Sequence, residues 1–178
     1  VPLIFAHPEA VAKGAVSNAV VGIVDLFPTM LDLFGWKSPA APKQRSLMDA
    51  LKGKAIGDRE VYSETLYTHR QFTWAEQRSL TTPDWKYISS TKPELYDRRK
   101  DPGETRNLVL DEPRVASDML DSLKVKFNSM TPGQAAGAQL STVERQKLES
   151  LGYVGGGRSE GDEQFLTPRL PDPKDMIG

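Results

Sequence analysis

The 178-residue sequence has no cysteine and only two histidines, and these absences exclude several kinds of chemistry. Without cysteine there can be no disulfide, no thiolate nucleophile and no cysteine-bound metal. The zinc-binding patterns and the H-E-x-x-H motif are absent. The sequence also lacks the glycine-rich loops that cradle phosphates and the G-x-S-x-G turn of serine hydrolases. The residues alone therefore reveal no catalytic motif.

The sequence also lacks a long apolar run, and its net charge is small. No apolar run approaches the roughly 20 residues that span a bilayer, so we expect no membrane span. The 23 basic and 24 acidic residues leave a net charge of −1, which gives no reason to expect a nucleic-acid partner. The chain is long enough for one ordinary domain, and its 13 prolines and 14 glycines indicate many turns.

The N-terminal part predicts a strand followed by helices. PLIFA (2–6) is a short apolar run and predicts a buried strand. VVGIVDLFPTMLDLFG (20–35) predicts a mostly buried helix, with Asp25 as its N-cap and Gly35 just beyond its last turn. RSLMDALKG (45–53) predicts one or two further helical turns. Since the sequence starts directly on an apolar strand and not with methionine, we expect a piece of a longer protein.

The middle of the sequence predicts an antiparallel meander. Four short segments are rich in β-branched and aromatic residues and follow one another closely. They are VYSETLY (61–67), QRSLTT (77–82), WKYISS (85–90) and ELYD (94–97). Pro83 and Asp84 favour a β-turn between the second and third segments. We therefore predict four neighbouring strands.

A long amphipathic helix is predicted at 111–130, with Asp111 as its N-cap. Every fourth residue is apolar along one side, and such a stripe can lie across a sheet. The stripe consists of Val115, Met119, Leu123 and Phe127. Residues 155–178 are polar and contain three prolines, which predicts a flexible tail.

These elements predict an α/β layer followed by a small α+β unit, in which a helix packs on an antiparallel sheet. Residues 1–58 are assigned to the α/β layer and residues 59–131 to the α+β unit. Residues 132–154 are assigned to a linker and a short terminal helix, because Ser141 and Glu144 match a capping box.

THRQFTW (68–74) places three chemically useful side chains in a predicted loop between the first two strands. His69 and Arg70 could present a proton donor and a cation to an anionic ligand, and the Trp74 indole could form a wall. Alternatively, the segment is a hairpin loop whose aromatic side chains pack back on the sheet. His7, which follows the first predicted strand, could line a site at a sheet edge or be a loop histidine without a role.

PELYDRRKDPGETRNL (93–108) is densely charged and has the composition of a binding loop. However, Arg98 and Arg99 have Asp97 and Asp101 close at hand. An anion would compete with this local pairing, which is worth at most ~1 kcal/mol. We therefore predict a solvated strand and turn.

Several segments together resemble the C-terminal portion of a bacterial sulfatase, of the alkaline phosphatase superfamily. ELYD (94–97), Asp101-Pro102, Glu104 and Asn107-Leu108 match the family pattern ELYDL-x-x-DP-x-E-x-x-NL. The other matching segments are the VPLIF start, VDLFPTMLDLFG (24–35), RSLTTPDWKYI (78–88) and ERQKLESLGYVGG (144–156). The resemblance covers about residues 1–156.

The resemblance implies the C-terminal part of an alkaline-phosphatase-like α/β/α sandwich, followed by the smaller antiparallel unit. It also implies a sulfuric ester hydrolase, in which a formylglycine made from a C/S-x-P-x-R motif attacks sulfur and Ca²⁺ polarises the sulfate. The family carries this motif and its metal ligands before the VPLI strand, and this sequence has no C/S-x-P-x-R. We therefore expect no catalytic residue and no metal ligand here, and a role as scaffold and wall of the sulfate-ester pocket.

Related bacterial sequences often carry H-F-G-W-S where this chain has QFTWA (71–75). The phenylalanine and Trp74 agree, while a glutamine takes the histidine position and His69 lies two residues earlier. His69, Arg70 and Trp74 are therefore the predicted substrate contacts. The relatives are often exported, so we expect a periplasmic or secreted protein. LPDPKDMIG (170–178) is similar to the lead-in to tetratricopeptide-type helical repeats, which predicts a downstream repeat domain.

Two other functions remain open at this point. A phosphodiesterase or phosphonate hydrolase of the same superfamily would carry threonine or serine in place of formylglycine and bind two metals. A non-catalytic interaction module would use the α+β unit and the tail to bind a partner. The upstream nucleophile motif distinguishes a phosphodiesterase or phosphonate hydrolase from a sulfatase. Saturable partner binding by the isolated chain, together with an inactive full-length protein, would support the interaction module.

Overall fold

The computed structural model of the chain describes residues 3–37, 45–130, 165–166 and 169–177. The helices are α1 (Leu26–Phe34), α2 (Met48–Leu51), α3 (Tyr67–Phe72), α4 (Pro113–Ser129) and α5 (Pro173–Met176). The strands are β1 (Val61–Thr65), β2 (Gln77–Thr81), β3 (Trp85–Ser89) and β4 (Glu94–Asp97). None of the described helices has the length and apolar character needed to cross a membrane.

The strands form one antiparallel meander in the order β1-β2-β3-β4, which confirms the four predicted strands. The register pairs Leu80 with Tyr87 and Tyr87 with Leu95, so these three side chains share one face of the sheet. The backbone N–H of Thr82 donates to the Trp85 carbonyl over 2.8 Å and closes the predicted turn between β2 and β3.

Helix α4 lies across the meander and buries the predicted apolar stripe. Met119 and Leu123 join the strand residues in the core, and burial of each such side chain contributes roughly 1.5–3 kcal/mol. The helix begins with Glu112 as its N-cap, so the cap predicted at Asp111 is one position early. Asp111 instead pairs with Arg106, whose Nη2 lies 2.8 Å from the Asp111 carboxylate.

The connection from β4 to α4 is the predicted turn, and its aspartates bond to backbone groups. The Asp97 carboxylate accepts the N–H groups of Arg99 and Lys100, each over 3.0 Å. The N–H of Arg106 donates to Asp101 over 2.9 Å. These hydrogen bonds lower the pKa of both aspartates. The largest cause is the backbone N–H of Lys100 for Asp97 and the backbone N–H of Arg106 for Asp101.

The two arginines of this turn bind partners other than the predicted aspartates. Arg98 donates to the Thr82 carbonyl over 2.7 Å, and Arg99 pairs with Asp84. Because the neighbouring aspartates are occupied by backbone N–H groups, the arginines are left to fasten the β2–β3 turn to the end of β4.

Residues 3–6 do not form the buried strand predicted for 2–6. Leu3 is 44% exposed and Ile4 is 85% exposed. A strand requires a neighbour that pairs with its backbone N–H and C=O groups. None of the described strands lies beside these residues, so the apolar composition alone does not produce a strand.

The predicted helix at 20–35 is present as α1, but it is not mostly buried. Pro28 and Thr29 are buried, whereas Phe27 is 60% exposed and Phe34 is 48% exposed. The prediction of the helix end is confirmed, because Gly35 adopts the left-handed conformation with φ +64°. The elements described around α1 leave its apolar face open to solvent.

Helix α2 is fastened to α1 through a buried hydroxyl. Thr29 Oγ1 accepts the N–H of Leu47 over 2.9 Å and donates to the Asp25 carbonyl over 2.5 Å. The helical turns predicted at 45–53 are therefore present, and the chain leaves α2 through Gly53 at φ +77°.

Residues 169–177 pack on the sheet, in contrast to the flexible tail predicted for 155–178. The N–H of Ala75 donates to the Pro171 carbonyl over 2.9 Å, and Asp172 is only 2% exposed. Asp172 is also the N-cap of α5, with Pro173 as the first helical residue. The remaining tail residues up to 164, together with the linker and short helix predicted at 132–154, lie outside the described residues.

Candidate functional site

The predicted site residues lie on α3 and the turn that follows it, between β1 and β2. We call residues 66–75 the α3 turn. A loop was predicted here, and the helix escaped prediction because its N-cap, Leu66, has no side-chain cap. The helix ends at Thr73 with φ +57°, a conformation that costs a non-glycine residue roughly 1–2 kcal/mol. Thr68 Oγ1 donates to the Ala75 carbonyl over 3.0 Å and ties the two ends of the α3 turn together.

His69 is fixed inside this turn. Its Nδ1 lies 3.2 Å from the Trp74 carbonyl oxygen, which can only accept, so Nδ1 carries the proton of this hydrogen bond. Nε2 of the neutral ring is then an acceptor. Glu76 Oε2 lies 3.9 Å from Nδ1, close enough to attract a protonated imidazole. Glu76, which is 2% exposed, was not singled out in the sequence, where no motif marks it.

The aromatic side chains of the α3 turn pack on one another. Phe72 stacks on Trp74 with ring centroids 4.6 Å apart, and Tyr67 meets the edge of Phe72 at 6.1 Å. Tyr67 is 62% exposed and Phe72 is 50% exposed. Trp74 is half-buried, whereas the exposed rings of Tyr67 and Phe72 can contact the apolar face of a ring-shaped ligand.

Arg70 is exposed on α3, where it follows His69 directly and precedes Phe72 by two positions. The α3 turn thus brings the three predicted residues onto one short segment. A guanidinium binds sulfate or carboxylate oxygens through paired hydrogen bonds, and an imidazole can add one more. The arrangement suits recognition of an anionic ring compound, and the described residues of the turn include no nucleophile–base pair.

Arg78 on β2, two residues after Glu76, is a structural cation. It is fully buried, with Nη1 3.5 Å from Glu76 Oε1 and Nε 3.5 Å from Glu64 Oε2. The guanidinium also lies 4.8 Å from the Phe127 ring centroid. Glu64 also accepts a hydrogen bond from the Tyr62 hydroxyl over 2.7 Å. Burial is the largest cause that raises the pKa of Tyr62, and the Glu64 carboxylate raises it further. These contacts commit Arg78 to the fold.

The other predicted histidine has a local role. His7 Nδ1 accepts the N–H groups of Glu9 and Ala10, at 3.2 and 3.1 Å, and closes a turn. Within residues 3–37, 45–130, 165–166 and 169–177, no group of three or more acidic or histidine side chains could hold a metal ion. These described residues therefore offer no ligand set for the Ca²⁺ that the resemblance implies.

The sequence matches known sulfatases. Residues 1–132 match the family described as "N-sulphoglucosamine sulphohydrolase, C-terminal". Arylsulfatase K of Bos taurus is 32% identical over a 141-residue alignment, which covers 72% of this chain and 25% of that protein. The delta 4,5-hexuronate-2-O-sulfatase of Bacteroides thetaiotaomicron is 32% identical over a 117-residue alignment, which covers 62% of this chain and 24% of that protein.

The fold also matches a solved structure. BT4656, in complex with its substrate D-glucosamine-2-N,6-O-disulfate, superposes with a TM-score of 0.57 at 25% identity. The match covers 68% of this chain and 27% of that chain. The fold class predicted from the resemblance is thereby confirmed, whereas the bacterial origin stays a prediction because the relatives include animal proteins. This chain spans about a quarter of the length of the relatives it matches, and it belongs to the sulfatase family as a C-terminal portion.

Proposed function

We propose that this chain is the C-terminal part of a sulfuric ester hydrolase, in which it serves as scaffold and as one wall of the substrate pocket. The α3 turn carries this proposal, because it displays Arg70, His69 and exposed aromatic rings together. The formylglycine and Ca²⁺ of the reaction would belong to the part of the protein before this chain. No step of the chemistry is assigned to residues of this chain.

A sulfated sugar is the substrate class that suits the α3 turn. Relatives of this chain are described as acting on a hexuronate 2-O-sulfate and on D-glucosamine-2-N,6-O-disulfate. A sugar ring has an apolar face that can pack on Phe72 or Tyr67, while its sulfate meets Arg70. A phosphonate hydrolase would also need a cation to bind its anionic substrate, so Arg70 does not distinguish the two functions. The exposed aromatic rings do, and they favour the sulfated sugar.

The exposed apolar face of α1 supports the scaffold role. Phe27, Met30 and Phe34, at the i, i+3 and i+7 positions of one helix face, are 60%, 38% and 48% exposed. Apolar side chains concentrated on one exposed face mark a surface that another protein part covers. In the proposed enzyme, the catalytic part would cover it. A non-catalytic interaction module could use the same face to bind a separate partner.

Two measurements test the proposal. The 178-residue chain alone should not hydrolyse p-nitrophenyl sulfate with Ca²⁺ present, because it has no nucleophile motif. In the complete protein that contains this chain, Arg70→Ala should raise KM for D-glucosamine-2-N,6-O-disulfate by roughly 10-fold or more, since a hydrogen bond to a charged group is worth ~1.5–3 kcal/mol. Arg99→Ala, which removes an exposed pair with Asp84, is the matched control.

Three results would contradict the proposal. Turnover by the isolated chain would place a nucleophile in it. An unchanged KM in Arg70→Ala would remove the α3 turn from the pocket. An inactive complete protein whose C-terminal part binds another protein saturably would favour the interaction module. Export to the periplasm and a downstream repeat domain remain part of the proposal, to be tested by fractionation and by the sequence beyond residue 178.

A further inference from the structure

The C-terminal residues 169–177 form a strap over one end of the sheet. Asp172 is the centre of this strap, because its two carboxylate oxygens face different elements. Oδ1 accepts the N–H of Lys174 over 3.0 Å and caps α5. Oδ2 accepts the Ser90 hydroxyl over 2.7 Å and the N–H of Lys92 over 2.9 Å. The carboxylate therefore joins α5 to the β3–β4 turn.

The side chains of the strap add bonds to the same turn. Lys174 Nζ donates to the Lys92 carbonyl over 2.6 Å and also pairs with Glu94. Thr91 Oγ1 donates to Asp172 Oδ2 over 3.2 Å. Ser90, Thr91 and Lys92 therefore all bond to the strap. These bonds fix the strap backbone relative to β3 and β4.

The strap backbone in turn holds the α3 turn. Pro171, next to Asp172, accepts the N–H of Ala75, which is completely buried. The Ala75 carbonyl accepts the hydroxyl of Thr68, at the start of α3. The preceding carbonyl, that of Trp74, bonds the ring of His69. A continuous run of hydrogen bonds therefore leads from the strap to the predicted substrate contacts.

We propose that the strap holds the α3 turn in the position in which it meets substrate, with Asp172 as the positioning residue. This inference rests on the proposed function for the role of the α3 turn, but the hold of the strap on that turn does not. Without the strap, the buried N–H of Ala75 has lost its acceptor, and a buried unpaired N–H favours local opening. The turn would then sample other positions, and substrate would find it correctly placed less often.

Amide hydrogen exchange on the 178-residue chain measures the hold directly. Asp172→Ala should accelerate exchange of the Ala75 amide by about 10-fold or more, because a net hydrogen bond is lost from the closed state. Exchange of the Leu80 amide, in the centre of β2, should be unchanged. Asp175→Ala is the matched control, since Asp175 lies on the same strap but only pairs with Lys92 at the surface. This control should leave Ala75 exchange unchanged.

Asp172→Asn provides a second variant in case the alanine substitution unfolds the chain. Asparagine keeps the size of the side chain and one acceptor, so Ala75 exchange should accelerate by a smaller factor. The inference would be overturned if the Ala75 amide exchanged at the wild-type rate in Asp172→Asn. The same rate in a folded Asp172→Ala would also overturn it. Acceleration of Ala75 and Leu80 by the same factor would also overturn it, because that result means global destabilisation.

Kinetics on the complete protein then test the positioning role. Asp172→Asn should raise KM for D-glucosamine-2-N,6-O-disulfate by roughly 3- to 10-fold and leave kcat within about twofold, since placement affects binding and the strap touches no reacting group. If Arg70→Ala raises KM and Asp172→Asn does not, the positioning role is wrong although the proposed function stands. If neither variant changes KM while Ala75 exchange accelerates, the proposed function fails and the hold of the strap stands.

Discussion

Arg59 Nη1 lies 3.4 Å from Asp25 Oδ1, and this ion pair, with side chains 8% and 9% exposed, joins the start of α1 to the segment that enters β1. The same guanidinium donates to the carbonyls of Arg45 and Ser46, each over 3.0 Å. Asp25 in turn accepts the N–H of Gly22 over 3.0 Å. One buried pair therefore holds three separate segments together.

Arg59→Ala should destabilise the chain by ~3–5 kcal/mol, because it leaves the Asp25 carboxylate buried without its cation. Urea unfolding monitored by circular dichroism measures the change. Arg99→Ala, which removes an exposed ion pair with Asp84, should cost less than ~1 kcal/mol. Equal losses in the two variants would show that burial of the Arg59 pair has no energetic consequence.

Gly35→Ala should destabilise α1 by ~1–2 kcal/mol, since Gly35 has φ +64° and a Cβ disfavours that conformation. Open space surrounds the position, so no steric contact contributes to the loss. Gly57→Ala is the matched control, because Gly57 also has open space but no positive φ. It should leave the free energy of unfolding unchanged or raise it by up to ~1 kcal/mol. The comparison fails if both variants lose the same stability in urea.

Asn107→Ala should cost ~1–3 kcal/mol, because Asn107 Oδ1 accepts the N–H groups of Leu95 and Val109, each over 3.0 Å. Asn107→Asp keeps these acceptors and loses only the 3.2 Å bond from Nδ2 to the Pro93 carbonyl, so its loss should be smaller. Asn128→Ala, at an exposed position of α4, controls for the loss of an amide. A larger loss in the aspartate variant than in the alanine variant would contradict this account.

Stability should depend on pH through Asp172. Burial would raise the pKa of Asp172, but the hydrogen bonds it accepts, led by that from Ser90, lower the pKa overall. The unfolded state therefore binds the proton more readily, and the stabilisation by Asp172 is complete only above the ordinary aspartate pKa of about 3.9. As pH falls below that value toward the folded pKa, the stabilisation is lost.

The measurement is the free energy of unfolding of the wild type minus that of Asp172→Asn, between pH 3 and pH 7. This difference should be constant near neutrality and shrink in acid, because asparagine does not titrate. A difference that stays constant down to pH 3, or grows in acid, contradicts the assignment.

The meander could be predicted because its signals are local. Short segments rich in β-branched and aromatic residues predicted the strands, and Pro83-Asp84 predicted the turn between β2 and β3. Gly35 was predictable for the same reason, since a helix end depends on the conformation of one residue. The buried strand at 2–6 was predicted wrongly because a strand depends on a partner, and apolar composition does not supply one.

The site was harder to predict than the fold. His69, Arg70 and Trp74 could be placed on one segment, but α3 itself could not, because Leu66 provides no capping signal. The strap did carry a signal, since Asp172-Pro173 is an N-cap followed by proline at the first helical position. What sequence could not show is the partner of Asp172, because Ser90 lies 82 positions away.

That separation sets an order of events during protein synthesis. The meander and α4 are complete at residue 129, whereas Asp172 is added later in the chain. At roughly 5–20 residues per second, the interval between the two lasts on the order of two to nine seconds, far longer than hairpins need to form. The sheet can thus form before the strap is made. Bonds formed last stabilise the native state more than the folding transition state, so the strap should lengthen the lifetime of the folded chain without accelerating its folding.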